Sequence, residues 1–522
     1  MTFQKTSRDL SALKSEALAA LADFDAPRAW VVLEIAVNTL LRVRKYLPLG
    51  KDYHELLDTH RDLYELAARV ALNGGDIPRA LAVLETLRAS SAADRVRIAM
   101  ARSHQVASTA RSLEHLDQLR RRIWQLDADP SADLTASSRL VREHDELMAE
   151  LFTETPGLAS DLFTSRQLEG LGEAVRAGVN LLVYGVFETF SFVVVQIADS
   201  DELKCRRVEL GAATIRRLVD EYRDRLFQMD GSHGDSVEDL VHLSKTLTGD
   251  CLSLFDRSRP LCVIPHGPMH DFPFSALRDS HGWLGEQVEI FSVPSIPLLR
   301  RRDRENRLTA KHVVALAYPG EPDSKDYLGG AVAELRNLHQ VFPKATCLEG
   351  RAATPTALFR LAPGADVLHI ACHAVLNAES PLLSCLILAA DDESNGEATV
   401  SQLINLSLRA SLVVLSGCQT ARGQLTAWDD TVSLAEGCLQ AGAQAALGAL
   451  WYLSDQSTLK LVTRFYENID AGMIFRQSLF DARRTLIQNG SKPYEWSPFT
   501  LIGFGPGDWR LGVASRLRLT VR

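Results

Sequence analysis

The chain has 522 residues, 46% hydrophobic and 24% charged, ordinary for a soluble globular protein and enough for two to four domains. Its net charge of −9 gives no global basic footprint, so direct nucleic-acid binding is not expected. The first residues hold no apolar signal region, and the longest apolar stretch, 179–197, is broken by Tyr184, Glu188 and Ser191, so no membrane span is expected and the chain reads as cytoplasmic.

The first ~100 residues read as helical repeats of the tetratricopeptide kind. The segment starting at Asp25 (Asp-Ala-Pro-Arg-Ala-Trp-Val-Val-Leu-Glu) matches the one starting at Asp76 (Asp-Ile-Pro-Arg-Ala-Leu-Ala-Val-Leu-Glu) at seven of ten positions, fifty-one residues apart. In the second copy Tyr64, Ala67, Ala68 and Ala71 stripe one helix, Gly74-Gly75-Asp76 breaks it, and Ala80, Leu81, Leu84 and Leu87 stripe the next. The spacing exceeds the usual ~34 residues, which predicts a short, irregular array.

Residues 101–170 read as a connector of longer helices, one lined by Leu113, Leu116, Leu119, Ile123 and Leu126, the other by Leu140, Leu147 and Leu151, with a break at Asp129-Pro130. The arginine runs 120–122 and 300–302, interleaved with polar residues, are expected on solvated surfaces.

From 178 to 510 apolar strands alternate with helices, which predicts an α/β domain with a mostly parallel sheet, divided into 178–300 and 310–510. Residues 180–187 and 189–196 should form a hairpin around Glu188. Helices are expected at 210–228 and 236–256, strands at 260–265, 288–293 and 313–318, then a helix near 331–342.

Two of the later strands end on reactive side chains. Val-Leu-His-Ile-Ala-Cys-His closes on His373, and Leu-Val-Val-Leu-Ser-Gly-Cys places Cys418 forty-five residues later. In an open parallel sheet the carboxyl ends of the strands form the crevice where ligands bind. A thiol and an imidazole delivered there are the parts of a cysteine nucleophile and its base. A turn and then a helix after Cys418, together with a nearby imidazolium, would favour its thiolate, and backbone N–H groups around it would hold an oxyanion. Eight cysteines with no Cys-x-x-Cys pair suit a reducing compartment, and no metal or other cofactor is expected. Gly50-Lys51-Asp52 lacks the remainder of a phosphate loop, and Gly503 to Gly507 does not open a helix.

The chain from about 178 to 510 resembles the CHAT domain, a caspase-like cysteine peptidase module. Val263 to Leu277, with Pro265, Gly267 and Pro268, resembles the family's proline-glycine loop. His373 with Ser380 to Leu388 resembles its histidine block, Leu415-Ser-Gly-Cys418-Gln-Thr its cysteine block, and Ala441 to Trp451 with Asp455 the strand that follows. The spacing also fits the caspase habit of a histidine ~50 residues upstream.

The resemblance implies a caspase-like fold behind the helical repeats and a cysteine endopeptidase acting through a dyad. Cys418 would be the nucleophile, His373 the general base and later acid, and the backbone N–H groups of Cys418 and Ala374 the oxyanion donors. Asp455 would help to recognise a basic substrate side chain, or Ser454 or Asp455 would cap a helix; Trp451 would be core or pocket wall. The family often has Gly after the histidine, so Ala374 would be strained if its φ were positive. It often has Ala before the cysteine, and Gly417 reads as a small-for-small exchange. Implied partners are a protein substrate and, at the repeats, a regulatory protein or ribonucleoprotein, in a setting such as antiviral defence or cell death. A catalytically silent scaffold of the same fold is the alternative.

Overall fold

The computed structural model describes residues 3–46, 59–88, parts of 115–147, and 168–503 without 230–234, 301–311, 322–323, 325–326, 378–379, 418–419, 423, 426–430 and 454. The chain divides into two compact units, Met1–Leu168 and Glu169–Arg522.

The first unit is helical, with helices Phe3–Ala22, Ala26–Tyr46 and Asp62–Asn73 and a fourth through 77–88. The two copies of the repeat turn in the same way. Oδ1 of Asp25 accepts from the Arg28 N–H and Oδ1 of Asp76 from the Arg79 N–H, both at 3.0 Å, so each aspartate caps the helix it precedes. Each also closes the helix before it, Asp25 N–H donating to Ala20 O and Asp76 N–H to Ala71 O. The residue before the cap is left-handed in both, Gly75 at φ 76° and Phe24 at φ 58°. Glycine takes that conformation freely; Phe24 holds it as a strained residue with its ring 96% exposed. The expected stripes, Tyr64 to Ala71 and Ala80 to Leu87, are buried, and the Arg79 guanidinium lies 5.0 Å from the centre of the Trp30 ring.

In the connector Leu119, Ile123 and Leu140 pack with Leu147; Leu113, Leu116, Leu126 and Leu151 lie outside the described residues. Arg120 departs from the solvated surface expected of its run. It is buried, its Nε donating to His144 Nε2 at 3.2 Å, while Arg121 and Arg122 are exposed.

The second unit is built on seventeen strands among the described residues. They are β1 (Asn180–Val186), β2 (Ser191–Gln196), β3 (Leu203–Val208), β4 (Leu261–Ile264), β5 (Arg278–Asp279), β6 (Gly282–Trp283), β7 (Ile290–Ser292), β8 (Val313–Tyr318) and β9 (Thr346–Glu349). There follow β10 (Val367–Val375), β11 (Cys385–Ile387), β12 (Glu397–Thr399), β13 (Leu412–Ser416), β14 (Gln424–Leu425), β15 (Thr431–Val432), β16 (Ala445–Ala449) and β17 (Phe499–Gly503). The main sheet runs β9-β8-β10-β13-β16-β17-β7-β4-β1-β2-β3.

Within it β9, β8, β10, β13 and β16 are parallel, as are β17, β7, β4 and β1, and the two blocks meet antiparallel at β16 and β17. The hairpin of β1 and β2 pairs Leu181 with Gln196 and Val186 with Ser191, and β3 extends it at the edge. β11 and β12 add an antiparallel ribbon on the last residues of β10.

β4, β10 up to Cys372, β13 and β16 are buried almost throughout, because crossover helices cover both faces of a parallel sheet. That is why they read as unbroken apolar runs. The helices Gly329–Val341, Asp455–Asp470 and Phe475–Gln488 pack side by side. Those expected at 210–228 and 236–256 are Ala212–Gln228 and Asp235–Thr248, the second followed by a 3₁₀ turn at Cys251–Leu254.

Candidate active site

The parallel strands β8, β10, β13 and β16 bring their carboxyl ends to one edge of the sheet. Because β17 runs antiparallel to β16, its first residue, Phe499, reaches the same edge opposite Ala449. His373 stands there, half-buried. The backbone changes partner at this residue: through Cys372 the strand pairs with β8, and from His373, opposite Ile387, it pairs with β11. Ala374 continues the extended ribbon opposite Leu386 and is not among the residues of positive φ, so the strain considered for it does not arise.

β10 and β13 are in register, Val367 opposite Leu412 and Ala371 opposite Ser416. Cys418 lies outside the described residues, but those bracketing it are fixed. Gly417 passes hard against β10, where a β-carbon on it would stand 2.6 Å from Cys372 O. The glycine is required by this close approach and is more than a small-for-small exchange. Thr420 is fully buried; its Oγ1 lies 3.0 Å from Leu415 O and 3.2 Å from Gly417 O, and accepts from the Ala449 N–H at 3.3 Å. The Ala421 N–H then donates to Ala449 O at 3.0 Å. The turn expected after Cys418 is present among the described residues, and a short hairpin stands between it and the expected helix. A turn at Thr420-Ala421 leads into the β14–β15 hairpin, and the next helix is Leu434–Gln440, capped by Ser433. The Ala435 N–H in the first turn of that helix donates to Thr420 O at 3.1 Å, so the start of the helix lies against the turn that follows Cys418 in the chain.

A shallow, open cleft lies at this edge. Ser416 and Gly417, the residues just before Cys418, form one side. Ala449, Trp451 and Leu453 continue from the end of β16, with Phe499 beside them and Glu334 from the helix Gly329–Val341. Trp451 is buried, its indole N–H donating to Tyr494 O at 3.0 Å and its ring 5.5 Å from that of Phe227. It is therefore both core and pocket wall. Asp455 is the first residue of the helix Asp455–Asp470, and Ser454, the other residue considered for its cap, lies outside the described residues.

Two charged clusters support the edge, and neither was evident from the sequence. His369, four residues before His373 on β10, is completely buried. Its Nδ1 lies 3.1 Å from the Tyr466 hydroxyl and its Nε2 3.4 Å from Glu334 Oε2. Burial and then Glu334 hold the Tyr466 phenol well above its ordinary pKa of 10.0. The phenol therefore stays protonated, and the His369 ring is held between it and the Glu334 side chain.

The second cluster lies in the loop 263–277. Asp271 is buried there between Arg216, at 2.6 Å, and Arg422, at 3.9 Å. Burial outweighs both arginines and raises its carboxyl above 3.8. Nearby, His270 Nδ1 lies 3.9 Å from Glu436 on the helix Leu434–Gln440, and the buried His266 accepts the Val186 N–H at Nδ1. Among the described residues no cluster of histidine, cysteine and acidic side chains could hold a metal ion, and no helix is long and apolar enough to cross a membrane.

A profile of the CHAT domain matches residues 239–504, half of the chain. Tetratricopeptide repeat protein 28 of Mus musculus is 38% identical over 107 residues, 20% of this chain and 4% of that protein. The chain thus spans a small part of that relative. Among solved structures, the Saccharomyces cerevisiae separase–securin complex aligns with 96% of this chain and 40% of that one at 10% identity, TM-score 0.47. Porphyromonas gingivalis RgpB aligns over 57% of this chain and 77% of that one at 14% identity, TM-score 0.33.

Proposed function

The chain belongs to the CHAT domain family, and we propose that within it this protein is a cysteine endopeptidase whose nucleophile is Cys418 and whose base is His373. The parallel register carries this reading. Ala371 lies opposite Ser416 at the edge where ligands gather, and in the sequence His373 and Cys418 each follow those residues by two positions.

The Cys418 thiol gives its proton to His373 and attacks a peptide carbonyl. The tetrahedral oxyanion is held by backbone N–H groups of Cys418 and Ala374. His373 protonates the leaving amine, and water then hydrolyses the acyl-enzyme. The cleft beside Ser416 and Gly417 receives the substrate side chain next to the scissile bond, with Trp451 as its wall and Asp455 as a polar contact. The N-terminal hairpins dock a regulatory protein or ribonucleoprotein that releases activity, and the setting is cytoplasmic defence or cell-death signalling.

Labelling by an electrophilic cysteine probe tests the assignment. Label should be lost in Cys418→Ala and kept in Cys372→Ala, whose thiol is buried. Label that persists in C418A, or is lost in C372A, overturns it. Full activity of the isolated chain on its natural substrate would overturn the gating by a partner.

A further inference from the structure

We infer that Thr420 is a positioning residue for Cys418, its buried hydroxyl fixing the turn that presents the thiol; the inference rests on the reading of Cys418 as nucleophile. The hydroxyl lies within hydrogen-bond distance of the carbonyl of Leu415, the last turn of strand β13, and the carbonyl of Gly417, and it accepts the N–H of Ala449 from β16. Its own backbone carbonyl accepts the Ala435 N–H at 3.1 Å, so the residue is held from the helix side as well. These partners lie on both sides of residue 418 in the chain and across the strand that lines the cleft.

The space around the hydroxyl is made to measure. A β-carbon on Gly448 would stand 3.0 Å from Thr420 Oγ1 and 3.1 Å from the Ala421 backbone nitrogen. A β-carbon on Gly417 would stand 3.2 Å from Thr420 Cγ2. The methyl thus packs the near side of the turn while the hydroxyl joins its two ends to β16. A nucleophile must be held within a fraction of an ångström of its target, and a misplacement of 1 Å costs about 100-fold in rate. Without the hydroxyl the Leu415 and Gly417 carbonyls and the Ala449 N–H lose a shared partner, and the turn relaxes.

The experiment compares Thr420→Val, which keeps the shape and removes the hydroxyl, with Thr420→Ser, which keeps the hydroxyl. The readouts are kcat and KM on a cleaved peptide, the pH profile of the rate of Cys418 alkylation, and the melting temperature. T420V should lower kcat at least about tenfold with KM little changed, the loss of one buried hydrogen bond at the reacting centre. It should also change the limiting alkylation rate, and T420S should restore both. If T420V does not fold, Thr420→Ala carries the same expectation. The inference is overturned if T420V keeps the kcat and alkylation rate of the parent, or if T420S fails as T420V does. Cys418→Ala separates the two levels: activity surviving in C418A removes the nucleophile reading itself. Activity lost in C418A but intact in T420V removes only the role of Thr420.

Discussion

Gly417 and Cys372 touch backbone to backbone, so that a β-carbon on Gly417 would lie 2.6 Å from the Cys372 carbonyl oxygen. The obstacle is main chain in a buried strand, which cannot swing away as a flexible side chain would. Gly417→Ala should therefore destabilise the protein by about 1–3 kcal/mol, the usual cost of overpacking a core, and push β13 away from β10. Urea denaturation measures the first effect, and probe labelling of Cys418 should fall with the second. An alanine variant with unchanged stability and labelling would show that the two strands can separate freely at this point.

Asp271 leads to a prediction whose sign depends on pH. Its carboxyl is raised above the ordinary 3.8, burial outweighing Arg216 and Arg422. The folded state thus prefers the protonated acid. The contribution of this group to stability is fully present below its unfolded pKa and is lost as pH rises through the raised folded value. Asp271→Asn, a permanent neutral mimic, should therefore lose stability relative to the parent most at pH below about 4 and least above the raised value. Asp271→Ala, which also removes packing beside Arg216, should follow the same pH dependence and cost about 1–2 kcal/mol more than Asp271→Asn at every pH. Denaturation curves across acid and neutral pH check both.

Legibility in the sequence followed burial. β4, β10 up to Cys372, β13 and β16 are covered on both faces, so composition alone marks them; His373, expected to close its strand, instead lies inside β10, whose last residues pair with β11. β3 and β9 were not legible. They are edge strands with exposed polar residues such as Arg206, Arg207 and Glu349, and carry no apolar pattern. The hairpin between the turn after Cys418 and the helix Leu434–Gln440 depends on cross-strand pairing of only two residues a side, too short to leave a periodicity. Thr420, Asp271 and Glu334 stayed hidden for another reason. Each acts on partners far along the chain or through backbone groups, as when Asp271 meets Arg422, 151 positions away, and only the folded sheet brings such partners together.

The buried pair of His369 and Glu334 should be strongly coupled. Both side chains are almost wholly out of solvent, with 0% and 4% exposed. His369→Phe leaves the buried Glu334 side chain and the Tyr466 hydroxyl without their imidazole neighbour and should cost about 1–3 kcal/mol, as leaving buried polar groups unsatisfied does. Adding Glu334→Gln should recover part of that loss, giving a coupling energy of about 1–3 kcal/mol in a double-mutant cycle followed by urea denaturation. Strict additivity would mean that the two side chains do not sense one another. The same cycle read through cleavage tests whether this pair steadies β10, the strand that carries His373.

Arg483 is the opposite case, a fully buried guanidinium for which the nearest described polar partner is a carbonyl: its Nη2 donates to Phe499 O at 3.0 Å, while Nε and Nη1 find no hydrogen bond. Burial pushes its pKa down to about 10, still protonated at neutral pH, so a charge is held in the core against its solvation preference. Methionine is of similar length and polarisable, and buried charges replaced by well-packed apolar side chains are often neutral or stabilising. Arg483→Met should therefore leave stability at neutral pH unchanged or raise it by about 1 kcal/mol, although one hydrogen bond to the start of β17 is lost. The sign reverses in alkali. The lowered folded pKa means that the group penalises folding below about pH 10 and ceases to do so as pH rises through that value toward the ordinary guanidinium range. The advantage of the methionine variant should thus shrink above pH 10. A melting-temperature series from pH 7 to pH 11 would reveal it, and a variant markedly less stable than the parent at pH 7 would mean that the guanidinium is fully satisfied in the core.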